Sequence, residues 1–459
     1  MLRERFQEKE VKLFMIVALI IGTVMSFVIC AWQTPDETTH LYLIGYHTDN
    51  PSFSQNLIDS LGMDCGRIEW DESASMDYEQ LKTAMVKKPD YTVSEMLPKG
   101  FHIPLLRFLP GFLGIELGIL LHLPTFWVLQ LGELFSLFLY VFVCACGLKV
   151  CPFKKGIMVL FMLAPMMLQG AGSISADAIV VPFIYWIICY VFYLRFEKEE
   201  ITTWDILKLL GAWLIITYMK LPYTFLIFLG LMLPVKKYHL RFGRFEIEES
   251  FIKRVRIPFF IILTLGIVFG VYIYRYNPWV QVMYGVVVEW KRTIHLLDAT
   301  VKTFSDHLLI SSVGNFGWLQ APVAKWFAIL FYVILFGYSL LGTDGSKKKY
   351  SRWDRTVIWI TFLVLTLITV FSMVNHTIMI TLFGSEQASE TYDIRQALYM
   401  IPYIGGLQGR YFVPFLSLFF MQFGSLELIN EKVTRVIFAT FLGTVYVYVG
   451  YILIQRFWI

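Results

Sequence analysis

Apolar residues in this chain recur in unbroken runs of about twenty, not at the three-to-four-residue spacing of a surface helix. Runs of that length match the hydrocarbon thickness of a bilayer. They predict eleven membrane-spanning helices, at about 13–32, 124–148, 156–172, 177–195, 203–219, 222–235, 257–275, 323–342, 356–382, 411–428 and 435–455. No strand alternation lasts more than a few residues and no internal repeat is visible, so the expected fold is an all-α polytopic membrane protein.

The connections sort by charge. Lys149, Lys154 and Lys155, then Arg195 and Lys198, then the run from Lys236 to Arg256, then Lys347 to Arg355, and finally Lys432 and Arg435 fall on one side if the first helix enters from its Arg3, Arg5, Lys9 and Lys12 flank. The positive-inside rule makes that side cytoplasmic. The first run is too long for a removable signal peptide and lacks a small-residue cleavage site, so a retained helix is expected. Three longer segments then lie outside, 33–123, 276–322 and 383–410. Within the first, Phe101 to Leu121 carries Pro104, Arg107, Pro110 and Glu116, which suits an interfacial or re-entrant piece better than a full span. Within the second, Val280 to Thr300 reads as one amphipathic helix.

Composition agrees. Of 459 residues 57% are hydrophobic and only 16% charged, which excludes a soluble enzyme, a disordered chain and a disulfide scaffold. The net charge of +4 is distributed by topology and implies no nucleic-acid partner. The six cysteines are too scattered for a disulfide framework, and Cys144, Cys146 and Cys151 lack a fourth ligand for a metal cluster.

Candidate chemistry gathers just outside the spans. In TPDETTH, Thr34, Pro35 and Glu37 fit a capping box, while Asp36 and His40 lie one helical turn apart on one face without a structural task. Either carboxylate, Asp36 or Glu37, partly desolvated beside the bilayer, suits a general base. At the next outer junction Ser175 fits a helix N-cap, with Asp177 in the first turn. Lys220 ends one helix, and Pro222 opens another, followed by Tyr223. In GGLQGRYFVP, Arg410 stands where the helix dipole disfavours a cation, between flexible glycines. A phosphate shared by Arg410 and the N–H groups of that helix end offsets the misplaced charge. Inside the second helix, Glu133 sits at a costly depth; pairing with a base such as Arg107, or protonation, is expected.

Taken in order, Pro35-Asp36-Glu37 with His40, Ser175 with Asp177, Lys220-x-Pro222-Tyr223, Gly317-Trp318-Leu319 with Pro322, and Gln408-Gly409-Arg410-Tyr411 with Pro414 resemble a bacterial family of predicted membrane proteins that is similar to GT-C glycosyltransferases. The resemblance runs through nearly the whole chain. It implies inverting, single-displacement transfer of a sugar from a polyprenyl-phosphate carrier to a cell-envelope glycan, on the outer face of the cytoplasmic (inner) membrane. Asp36 or Glu37 would be the base, Lys220, Arg410 and Tyr411 would hold the donor phosphate, and His40, Ser175, Asp177, Tyr223, Trp318 and Gln408 would bind substrate or support the site. Glu133 departs from the pattern, because related sequences tend to carry a basic residue in that helix. No cofactor is expected. GT-C relatives differ in metal dependence, but Asp36, Glu37 and His40 are too few for a dedicated metal cage. A transporter or flippase of lipid-linked saccharides, or a polymerase or ligase of such glycans, is the alternative; a transporter places its polar groups near the midplane.

Overall fold

The computed structural model describes residues 2–29, 32–61, 75–242, 245–247, 278–341, 350–383, 398–423 and 428–459, with scattered residues in 250–266 and residue 426. The first helix, α1, runs Leu2–Val28. A short turn leads into α2, Glu37–His47, followed by α3, Ser52–Leu61, and the small helices α4, Tyr78–Ala84, and α5, Val93–Met96. A 3-10 turn, Ile103–Phe108, opens α6, Leu109–Leu120, and α7 spans Thr125–Val150. Then come α8, Lys155–Met162, α9, Pro165–Ala171, α10, Asp177–Phe196, and α11, Thr203–Met219. The second half contains α12, Pro278–Val288, α13, Trp290–Val313, α14, Lys325–Leu341, α15, Arg352–Phe383, α16, Val413–Met421, and α17, Glu431–Phe457. Among the described residues strands are confined to β1, Ile201–Thr202, beside the hairpin β2–β3, Tyr238–Phe242 and Phe245–Ile247, and a second hairpin β4–β5, Asn315–Phe316 and Ala321–Pro322.

The all-α polytopic architecture is present, in coarser form than eleven spans. Among the described residues six helices are long and apolar enough to cross a membrane: Lys9–Val28, Ile103–Leu120, Thr125–Val150, Asp177–Phe196, Arg352–Ile378 and Lys432–Phe457. Leu221–Met232 and Lys325–Leu341 are shorter apolar helices. The expected span 257–275 lies almost entirely outside the described residues, as do parts of the 276–322 and 383–410 segments.

Several local expectations are corrected. The run 156–172 is two helices, because Pro165 opens α9 at its N-terminus and the chain leaves helical geometry at Ala164. The run 222–235 is a 3-10 helix, Leu221–Met232. The amphipathic segment breaks at Glu289 between α12 and α13, where the Thr293 hydroxyl donates to the carbonyl of Val286 at 2.8 Å. At the short end, 411–428 contracts to α16.

The core is a bundle around α7, α8, α9 and α10, whose inward residues include Tyr140, Phe161, Tyr185 and Phe192. The Ile103–Leu120 segment packs on only the first half of α7. Gly114 allows this, since a Cβ there would lie 2.3 Å from the carbonyl oxygen of Leu131. Beyond Leu137 that face of α7 is taken by α1 at Gly22, and near Gly147 by α10 at Trp186. The 3-10 turn and α6 therefore stand beside one end of the bundle, the end that carries the motifs.

Ion pairs close the opposite end. Buried Asp354 takes a two-pronged bond from Arg195 at 2.8 and 3.0 Å, and accepts from the amide and hydroxyl of Ser351. Asp205 accepts from Lys198, Tyr190 and Thr202. Lys154, expected as a simple topological marker, is buried and donates to the Ser339 carbonyl and hydroxyl and to the Phe420 carbonyl.

Candidate active site

The turn between α1 and α2 builds the first wall. Asp36 occupies the left-handed region at φ 67°, a conformation that Asp and Asn tolerate better than most residues. Its side chain makes no capping bond and is exposed. The helix starts at Glu37, so the expected N-cap at Thr34 is corrected: Thr34 opens a turn whose carbonyl accepts from the Glu37 amide at 3.2 Å.

Glu37 and His40 reach from α2 to the same residue, Ile174, in the loop between α9 and α10. The Ile174 amide donates to Glu37 Oε1 at 3.1 Å, and His40 Nδ1 lies 2.9 Å from the Ile174 carbonyl. A carbonyl only accepts, so neutral His40 carries its proton on Nδ1 and keeps Nε2 as an acceptor. The ring also packs on Phe108, centroids 5.0 Å apart. Burial lowers the His40 pKa, and Lys220 adds to this, against the opposing influence of Asp36, Asp177 and the Ile174 carbonyl. Burial raises the Glu37 pKa to about 7, against the lowering effect of hydrogen bonds from the Ile174, Trp32 and Thr34 backbone.

The second wall comes from distant segments. Asp177, at the start of α10, binds Lys220 at 2.5 Å across the end of α11. Lys220 also lies over the Tyr411 ring, 5.4 Å from its centroid. Arg410 is buried, 5.5 Å from the same ring centroid, and its Nε has no hydrogen-bond partner. Asp177 and Asp36 both act on Arg410 electrostatically. The Tyr223 hydroxyl donates to the Tyr411 carbonyl at 3.1 Å. Met166, Met167, Gly170, Asp177, Val181, Tyr223, Arg410, Tyr411 and Pro414 line a narrow cleft with a free volume of about 10 Å³. Its chemistry suits an anion: a buried guanidinium with a free donor, a lysine, and apolar methionine and valine walls.

Other expected residues take supporting places. Ser175 is not the N-cap; Ala176 holds that position, and the Ser175 hydroxyl pairs with that of Ser173 at 2.9 Å. Trp318, in the β4–β5 loop, lies outside the cleft wall and donates to the Trp32 carbonyl at 2.8 Å, bracing the Asp36 turn. Gln408 is buried and passes its carbonyl to the Tyr411 amide. The Tyr411 and Phe412 amides are used inside the Gly409–Tyr411 turn, so the Arg410 side chain is the donor that faces the cleft. Gly409 permits the turn to sit against α13, because a Cβ there would come 1.9 Å from the Leu308 carbonyl oxygen. Arg107 does not pair with Glu133; it lies exposed over Tyr218. Glu133 is buried and takes a bond from Gln130 at 3.3 Å.

Sequence reasoning missed Ile174, whose contribution is main-chain and carries no side-chain signal. It also missed Gln169, which is buried with neither amide atom partnered. Among the described residues no three His, Cys, Asp or Glu side chains converge in a way that would hold a metal ion.

No curated protein and no solved structure matches the chain. Residues 19–419, which include every candidate site residue from Asp36 to Tyr411, match the family described as Predicted membrane protein (DUF2142). On that coverage the chain belongs to this family of membrane proteins.

Proposed function

We propose that the chain is a GT-C-like glycosyltransferase that moves a sugar from a polyprenyl-phosphate carrier to a cell-envelope glycan at the outer face of a bacterial cytoplasmic membrane. The observation that carries this reading is the electrostatic pairing of an exposed carboxylate, Asp36, with a buried guanidinium whose Nε lacks a partner, Arg410, contributed by segments about 370 residues apart. The acceptor hydroxyl gives its proton to Asp36 while its oxygen attacks the anomeric carbon. The bond from that carbon to the phosphate oxygen breaks, and the electron pair leaves with the phosphate, whose charge Arg410 stabilises.

Asp36 is preferred over Glu37 as base because the Glu37 carboxylate is spent on the Ile174 amide, inside the protein. Lys220 is held by Asp177, so its charge is partly offset and Arg410 carries more of the phosphate contact. Crowding of the charges at one end of the bundle favours chemistry at a membrane face over transport through the midplane.

The test is transfer in proteoliposomes from a radiolabelled polyprenyl-phosphate sugar. Asp36→Asn is expected to lower turnover by ~10²–10⁴-fold with donor binding kept, and Arg410→Ala to weaken donor binding tenfold or more (about 1.4 kcal/mol). Near-normal turnover in Asp36→Asn would remove Asp36 as base. Donor translocation without transfer in the unaltered protein would replace the reading with a flippase.

A further inference from the structure

Behind the Asp36 turn lies a second, separate hollow of about 10 Å³, room for roughly one water, walled by Met25, Ser26, Ile29, Thr34, Glu133, Leu168, Gln169 and Gly172. Its polar groups are short of partners for a buried site. Gln169 is 3% exposed and both its amide atoms lack a hydrogen-bond partner; Gln130, outside the lining but bonded to Glu133 and 2% exposed, spends its Nε2 on the Ser26 carbonyl and on Glu133 and leaves Oε1 open. An amide with both donor and acceptor unmet is satisfied by water, which offers both, and not by a cation, which would leave the N–H₂ unmet. Two buried carboxyls flank this hollow. Glu133 lines it from α7, and Glu37 lies beyond Thr34, close enough for the two to interact electrostatically.

We propose that Glu37 and Glu133 share one proton through water ordered on Gln169 and Gln130, and that this pair fixes the charge behind the turn that carries Asp36. The exchange is balanced: Glu37 gives its proton to a water of the hollow while that water gives one to ionised Glu133, and the reverse. The two carboxyls have opposite surroundings. Glu37 accepts backbone N–H bonds, whereas Glu133 is hydrogen-bonded by the side chains of Ser26 and Gln130 and faces the hollow. Glu133 is the only titratable side chain lining the hollow among the described residues; Glu37 interacts with Glu133 from α7 and shares its segment with Asp36 and His40, of which His40 feels Asp177 and Lys220, and Asp36 feels Arg410. Glu133 is a positioning residue in this scheme, acting on Asp36 through Glu37.

Infrared titration of the carboxyl C=O bands of the full chain in nanodiscs tests the pair without any turnover, so its outcome is independent of whether the protein transfers sugars. A shared proton gives two coupled steps more than ~1 pH unit apart. Glu133→Gln and Glu37→Gln should each leave a single step at a midpoint between the original two, and Glu133→Asp should restore two steps. Gln169→Leu should shrink the separation. Single variants that delete one step and leave the other where it was would overturn the shared proton, and an unchanged separation in Gln169→Leu would overturn the water link. Loss of transfer in Asp36→Asn with the two steps intact would support both readings, whereas retained transfer with the two steps intact would remove Asp36 as base and leave the shared proton standing.

Discussion

The two ends of the bundle treat buried charge in opposite ways. At the basic end three buried ionic groups are well partnered: Asp354 with Arg195 and Ser351, Asp205 with Lys198, Tyr190 and Thr202, Lys154 with two carbonyls and a hydroxyl. At the motif end Arg410 keeps a bare Nε, Gln169 a bare amide, and Asp36 a carboxylate without a capping bond. A saturated network has no capacity left for a ligand and serves to tie helices together, whereas leaving a buried donor unmet costs about 1–3 kcal/mol that a bound group can recover. The difference separates staples from site more sharply than charge alone, since both ends hold lysine, arginine and aspartate.

The largest expected effect lies at the saturated end. Asp354→Ala leaves the Arg195 charge half-buried and uncompensated and should cost about 3–5 kcal/mol of stability, seen as a lower melting temperature in detergent, while donor affinity per folded molecule stays the same. A matching loss of donor affinity would erase the contrast between the ends. Gly409→Ala should cost about 1–3 kcal/mol and, unlike Asp354→Ala, also weaken donor binding, because the turn that aims Arg410 must shift from α13.

Smaller is the pH effect of Glu37. Its folded pKa, about 7, exceeds its ordinary value of 4.5, so between those values the folded protein binds more protons than the unfolded one. Stability therefore falls as pH rises through that window, by at most about 1.4 kcal/mol per pH unit, and levels off above it. Glu37→Gln should flatten that slope in a melting series. Smallest is Trp318→Phe, which keeps the ring and removes the bond to the Trp32 carbonyl; about 1 kcal/mol, read as a few-fold loss of transfer with little change in melting temperature.

Helix existence was legible from apolar runs, and α11 falls where the pattern put it, at Thr203–Met219, because its Thr202 and Asp205 form the capping box that starts it. Breaks within runs were harder. Pro165 was a visible signal for the split between α8 and α9, but an apolar run carries no mark of the turn itself. Asp36 and Arg410 stood out because helix chemistry left them unexplained, whereas Asp177 and Lys220 fitted helix ends and joined the candidate site through the family resemblance. Their pairing was not legible: nothing local says that Asp177 meets Lys220, 43 positions away, or that Glu133 faces a hollow and not a base. Ser175 and Thr34 were misassigned as caps because the helices begin later than the pattern suggests, with Ala176 and Asp36 at the cap positions.

Glu37 and His40 both grip position 174 by its peptide groups. The isoleucine side chain is itself buried against Gly111 and Gly132, so the joint fixes both the size of that residue and its main chain; proline, which has no N–H to offer, would undo half of the handshake as well.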